Sequence, residues 1–356
     1  MNRLQSLDAF RGLTIALMIL VNTPGDGHNV YAPLQHADWH GWTLTDCVFP
    51  SFVWIVGVAI TLSLGGKLDQ PRPALYKVIL RRAAILFGLG LLLYAFPTFP
   101  IDTFRILGVL QRIAICYAVT SILFLNTGIR GQIIAIFVLL SSYWAIMMFI
   151  PAPGHSAGDL TVEGNIAHYV DKIILGNHNY RNTKTWDPEG IISTLPSIAT
   201  CLLGVLAGHI LKLAKDIPHR AQRLIVIGAA LIAAGLVLDP LLPINKKLWT
   251  STFTLFMAGL DFTSFGALLW IIDGRGLVAP FKPFIVMGMN AIALYLSSEF
   301  LDTIMNFTHV KQPIYETIFL PLASPINASL LFSIAYVLLH MALAYFLYSR
   351  KLFFRA

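Results

Sequence analysis

The sequence predicts an all-α fold, a polytopic membrane helix bundle of about ten or eleven transmembrane helices. Three observations lead there. Hydrophobic residues fill 56% of the 356 positions and charged residues only 12%, about half the charge density of an average soluble domain, and the mean hydropathy is +0.71. Apolar runs long enough to cross a hydrocarbon core ~30 Å thick recur along the whole chain, leaving no room for a soluble domain of ordinary size. The net charge of +7 is distributed as a membrane topology requires, so the expected partner is the lipid bilayer and not nucleic acid.

In chain order, spans are expected at 9–22, 44–65, 83–96, 104–125, 132–150, 191–211, 223–240, 250–272, 282–302 and 327–348. With the amino terminus inside, one set of connections collects most of the 25 basic residues, among them Arg3, Arg81, Arg82, Lys215, Arg350 and Arg355. Arg105, Lys172, Arg181, Lys184, Lys246, Lys247 and Lys311 fall on the other side. This is the positive-inside bias, and it puts both termini in the cytoplasm. The start, MNRLQSLDAFRG, has no small-residue cleavage site and is read as uncleaved. No repeat or low-complexity segment interrupts the pattern, so residues 1–356 read as a single transmembrane domain with external loops at 23–43 and 151–190.

The first span is short. Only GLTIALMILV separates Arg11 from Asn22, which at 1.5 Å per residue covers about half of the hydrocarbon thickness. Either Asp8 and Arg11 sit at depth on the inner side, or Asn22 and the loop after it enter from the outer side. Both arrangements need a cavity, because irregular backbone facing lipid leaves its amides unsatisfied, and short spans point to a binding site at mid-depth. An Asp8–Arg11 pair at an inner interface followed by a solvated turn explains the sequence equally well.

The following loop, PLQHADWHGWTLTDCVFP, holds His36, Asp38, His40 and Asp46. Their types resemble a metal set, but histidines four apart share a face only on a helix, and Pro33 with Gly41 argues against one. No metal is expected. Trp39 and Trp42 suit an interfacial aromatic belt. Cys47, Cys116 and Cys201 lack paired spacing and read as small buried apolar residues.

In FRILGVLQRIAICY, Arg105, Gly108 and Arg112 recur at i, i+3 and i+7 and would share one helix face. An arginine one or two turns into a span faces a cavity or pairs with an aspartate. Asp261 in the eighth span is a further buried carboxylate, and the ninth, PFIVMGMNAIALYLSSEFL, carries Asn290 and Glu299. TWDPEGIISTLPSIAT reads as a helix start, with Asp187 as cap, Pro188 in the first turn and Glu189 on the positive end. Trp186 beside Asp187 and Glu189 equally suits the wall of a sugar site. Trp186, Asp187, Glu189, Asn290 and Glu299 are therefore the substrate-binding candidates.

Six stretches in the same order, RLQSLDAFRGLTIALMILVNTPG, HADWHGWTLTDCVFPSFVWIVGVAI, FRILGVLQRIA, DPEGIISTLPSIAT, INKKLWTSTFTLF and GMNAIALYLSSE, resemble the heparan-α-glucosaminide N-acetyltransferase family and its bacterial relatives. The likeness runs from residue 3 to about 300. It implies an acetyl-CoA-dependent transmembrane acyltransferase, with acetyl-CoA as co-substrate, moving acetyl to the amine of a glucosamine-type sugar or small glycan. It further implies a bacterial inner-membrane location, an acceptor on the periplasmic side, and a homodimer. His36 is implied as the catalytic histidine and Asn22 as its active-site partner. His40 stands where the family carries asparagine, and the luminal domain preceding the first span in the animal enzyme is not expected here.

The implied chemistry suits these residue types. Histidine's ordinary pKa near 6.5 fits a general base, and an imidazole can also attack a thioester itself. Asn22 can donate to the developing oxyanion, and Asp38 or Asp46 can orient the imidazole. CoA phosphates cannot enter hydrocarbon, so arginines should hold them; Arg11, Arg81, Arg82 and Arg112 are the candidates. Two rival classes remain at this level: a transporter for a sugar or proton-coupled solute, and an O-acyltransferase acting on a glycan. Acetyl-CoA dependence separates the first of these from a transferase.

Overall fold

The computed structural model describes residues 4–213 and 216–354, so Arg3, Lys215 and Arg355 of the charge pattern lie outside the described residues. Among the described residues thirteen α-helices carry the fold. In order they are α1 (Gln5–Asn22), α2 (Leu44–Leu64), α3 (Arg72–Ala95), α4 (Val109–Asn126), α5 (Ile129–Phe149), α6 (Ile166–Leu175) and α7 (Thr194–Leu213). Then come α8 (Ile217–Leu238), α9 (Ser251–Leu268), α10 (Lys282–Gly288), α11 (Ala291–Phe307), α12 (Lys311–Ile314) and α13 (Pro325–Ser349). A single β-bridge, Gly41 with Asn245, is the extended pairing among the described residues.

Eight helices among the described residues are long and apolar enough to cross a membrane: α2, α3, α4, α5, α7, α8, α9 with its π-helical continuation to Gly274, and α13. A ninth span arises if α10 and α11, bent by 71° at their junction, are counted together. The expected ten is not reached because α1, eighteen residues long, carries Asp8 and Arg11 within its first two turns. Boundaries also move. α3 begins at Arg72, where Pro71 and Pro73 favour a first turn, and so Arg81 and Arg82 lie within the helix. α4 begins only at Val109, after an extended Gly108; Arg105 precedes the helix and does not share its face with Arg112. Likewise α7 starts at Thr194, seven residues beyond the helix start read at Asp187.

The chain divides into two compact units. Unit one comprises residues 4–37, 42–49 and 265–354; unit two comprises Asp38–Gly41 and Pro50–Ser264. In unit one, the first two backbone N–H groups of α1, on Gln5 and Ser6, donate to the Asp273 carboxylate at 3.1 and 3.0 Å, an anionic cap supplied from a distant residue. Further along, α1 meets α10 backbone to backbone. A Cβ at Gly12 would fall 1.7 Å from the Phe284 carbonyl oxygen, and one at Gly288 would fall 1.9 Å from that of Asp8. Small residues permit such close crossings where lipid supplies no hydrophobic drive between helices. Unit two repeats the device: Gly57 of α2 faces the Cys201 carbonyl, and Gly204 of α7 faces that of Trp54.

Candidate active site

Between α1 and α2 the chain makes one short helical turn, Ala32–Leu34. The two histidines there take different partners. His36 Nδ1 lies 2.7 Å from Asp46 Oδ1, in the first turn of α2. Asp46 Oδ2 accepts the backbone N–H groups of Ala37 at 3.0 Å and Thr43 at 3.1 Å. Because a carboxylate offers no proton, Nδ1 carries the hydrogen and the lone pair is on Nε2. The imidazole is 48% exposed over a carboxylate that is 1% exposed, so a fixed acceptor presents an accessible ring. Such a pair can take up a proton at Nε2 and stabilise the resulting imidazolium.

Asn22, the last residue of α1, donates its amide N–H to Glu299 Oε1 of α11 at 3.1 Å. Arg11 lies 3.6 Å from Asp8 and donates to the Gly288 carbonyl at 3.3 Å. Asn290, at the bend before α11, is wholly buried. Its amide spans the carboxyl-terminal tail, donating to the Leu352 carbonyl at 3.0 Å and accepting from Phe354 N–H at 2.9 Å. All of these belong to unit one.

The remaining candidates lie in unit two. Asp38 is exposed, and its carbonyl accepts from Lys247 at 2.5 Å; Asp46, not Asp38, meets the imidazole of His36. His40 contacts the Asn245 amide at 3.3 Å. Arg81 is exposed on α3, while the Arg82 guanidinium sits 5.2 Å over the Tyr117 ring. Arg112 is 1% exposed. It donates to the Gly190 carbonyl at 2.9 Å and to Ser193 Oγ at 2.5 Å, and it stacks 5.1 Å over Trp249.

Asp187 and Glu189 both bind Arg105, whose Nε donates to Asp187 at 2.7 Å while its Nη2 reaches both carboxylates. Asp187 also accepts the Glu189 N–H at 2.9 Å, so it closes a local turn where the sequence suggested a helix cap. Burial disfavours charge on Glu189, but Arg105, Arg112 and Lys246 outweigh it and hold the carboxyl below its usual range. Trp186 is 8% exposed, and one face is covered by His168, stacked at 4.1 Å and 8°. Trp39 meets both rings edge-on, at 5.5 and 5.9 Å.

Four groups had escaped the sequence reading. His168 and Asp171 lie on α6, inside what read as a loop; Ser329 and Ser333 of α13 fasten the turn after Asn22. Burial pulls His168 down to about 4, against its bond to the Val162 carbonyl. Burial pushes Asp171 up to about 6, against N–H donation from Ile191 and Asp187. The readable signals were Asn165 as a helix cap and the i, i+4 serines in an apolar helix. Among the described residues no group of three His, Cys, Asp or Glu side chains could hold a metal ion.

A sequence profile described as heparan-alpha-glucosaminide N-acetyltransferase, catalytic, matches residues 3–233. The chain is 29% identical to the heparan-alpha-glucosaminide N-acetyltransferase of Mus musculus, over 99% of its own length and 60% of that protein's. It is also 29% identical to the Homo sapiens protein of the same name, over 86% of its own length and 54% of that protein's. The chain thus spans a little over half the length of these relatives. With the profile covering well over half of its residues, it belongs to the heparan-alpha-glucosaminide N-acetyltransferase family.

Proposed function

We propose that this protein is a transmembrane N-acetyltransferase that takes acetyl from acetyl-CoA on the cytoplasmic side and delivers it to the amine of a glucosamine-type sugar on the periplasmic side. The observation that carries the reading is the His36–Asp46 pair, an accessible imidazole held by a buried carboxylate in a chain of this family. A bacterial inner membrane, cytoplasmic termini and a homodimer complete the proposal.

In the direct route, the neutral sugar amine attacks the thioester carbonyl and its proton passes to His36 Nε2. Asp46 stabilises the imidazolium, and the amide N–H of Asn22 donates to the oxyanion. Collapse breaks the carbon–sulfur bond, and the departing thiolate takes the proton back from Nε2, giving the acetamide and CoA thiol. In the alternative route, Nε2 attacks the thioester, the thiolate leaves, and the amine captures the acetyl-imidazole. Adjacent Arg81 and Arg82 on α3 are proposed to hold the donor's phosphates, since Arg81 is exposed; Arg112 is enclosed by protein and Arg11 is engaged with Gly288 and Asp8. Among the acceptor candidates, Trp186 and Asn290 are occupied by protein groups, and Asp187 and Glu189 by Arg105.

The test is transfer of labelled acetyl from acetyl-CoA to glucosamine by purified protein in proteoliposomes, with His36→Ala in parallel. Label on the sugar with wild type alone supports the reading. Intact acetyl-CoA across a panel of aminosugars rules it out, and transfer with donor and acceptor confined to one face rules out its sidedness. Acetyl bound covalently to protein in the absence of acceptor selects the acetyl-imidazole route.

A further inference from the structure

We infer that Glu299 of α11 and Ser333 of α13 are positioning residues for Asn22, the first fixing its side chain and the second the backbone just after it. This rests on the reading of Asn22 as an acyl-transfer residue. α1 ends at Asn22, and Thr23 leaves helical geometry with φ −125° and ψ 59°, so the last turn does not itself dictate where the asparagine points. An amide useful to an oxyanion must present nitrogen and not oxygen. Ionised Glu299 decides that orientation: a carboxylate only accepts, so the 3.1 Å contact at its Oε1 is made by Asn22 Nδ2. The second N–H on the same nitrogen is then directed away from Glu299 in the amide plane.

The backbone is fastened separately. Ser333 Oγ reaches the Thr23 carbonyl at 3.1 Å while retaining its own helix's Ser329 carbonyl at 3.2 Å. One turn earlier on the same face of α13, the Ser329 carbonyl accepts the Gly25 N–H at 3.4 Å, and its hydroxyl bonds both N–H and carbonyl of Asp26 at 3.0 Å. Farther along, Tyr31 donates to Asn327 at 2.6 Å. Both serines are buried, 1% and 3% exposed, in a helix long and apolar enough to cross a membrane. Hydroxyls at i and i+4 that engage a loop's backbone form a rail for that loop. The rail lies outside residues 3–233 matched by the family profile.

The experiment uses the full chain in nanodiscs and the variants Glu299→Leu, Glu299→Gln, Ser333→Ala and Asn22→Ala, with the double variant Asn22→Ala/Glu299→Leu. Hydrogen exchange of the peptide covering 22–31 is followed without substrate, and acetyl transfer to glucosamine is measured alongside. Exchange should rise in Ser333→Ala and Glu299→Leu. Turnover should fall about tenfold in Glu299→Leu, the scale of one oriented hydrogen bond, with KM for acetyl-CoA unchanged. Glu299→Gln, which keeps an acceptor oxygen, should recover part of that loss. Adding Glu299→Leu to Asn22→Ala should cost nothing more. Unchanged exchange in both Glu299→Leu and Ser333→Ala overturns the inference. So does an additive double variant, or Glu299→Gln as slow as Glu299→Leu, since either gives the carboxylate a role of its own. A fully active Asn22→Ala with the expected exchange changes refutes instead the acyl-transfer reading of Asn22, and leaves the fastening of the turn standing.

Discussion

His36 and His168 make the same first hydrogen bond and end in opposite circumstances. Each imidazole uses Nδ1 to meet an oxygen, Asp46 at 2.7 Å and the Val162 carbonyl at 2.5 Å, and each therefore keeps its lone pair on Nε2. The difference lies in the partner's charge and the ring's access. The His36 ring is half open over a carboxylate that can balance an imidazolium. His168 is 5% exposed, stacked on Trp186 and edged by Trp39, with a neutral acceptor. One ring lies half open beside a buried carboxylate; the other closes an aromatic cluster. A histidine's tautomer alone says nothing about its role.

That contrast can be broken most sharply at His36 itself. His36→Ala should lower acetyl transfer by ~10²–10⁴, the usual worth of a positioned acid–base, while the unfolding temperature stays near that of wild type; a stable, fully active variant would remove the distinction. On the sealed side, Arg105→Leu should destabilise by about 3–5 kcal/mol, because Asp187 and Glu189 would stay buried without their cation; thermal unfolding in detergent measures it. His168→Ala should cost about 1–3 kcal/mol through lost stacking, with turnover per folded molecule preserved, the converse of His36→Ala.

The smallest effect is in pH. His168 is pulled down to about 4, so its neutral form contributes stability that is complete above its ordinary value near 6.5 and lost as pH falls through 4. Asp171 is pushed up to about 6, so its contribution is complete below its ordinary value near 3.8 and lost as pH rises through 6. The two oppose each other between about 4 and 6. His168→Gln should therefore leave a stability that rises on acidification over that window, read by hydrogen exchange of α6, whereas wild type stays flatter.

Apolar length was legible because it is a local property: every expected span has a helix beneath it, although α1 and the bent α10–α11 pair are not simple crossings. Charged residues at the span ends were not, since their positions depend on distant partners. The i, i+3, i+7 spacing of Arg105, Gly108 and Arg112 persists on paper across a helix boundary that Gly108 imposes. Asp187 has every local mark of a cap, yet its carboxylate is taken by Arg105 from 82 positions away. His36 and Asp46 could both be named as candidates, but choosing Asp46 over Asp38 required seeing the turn at 32–34 and the two backbone N–H groups on Oδ2.

The interlocked glycines of α1 and α10 make α1 a ruler. A slide of α1 would bring a residue with a Cβ against Phe284, where only Gly12 fits, so the crossing sets a zero mark, and Asn22 is read off ten residues, or ~15 Å, beyond it. One residue inserted in that interval would raise Asn22 by ~1.5 Å and swing it by about 100°, taking it off Glu299 altogether. The chemistry assigned to the far end of the helix is thus calibrated at its near end, by the absence of two methyl groups.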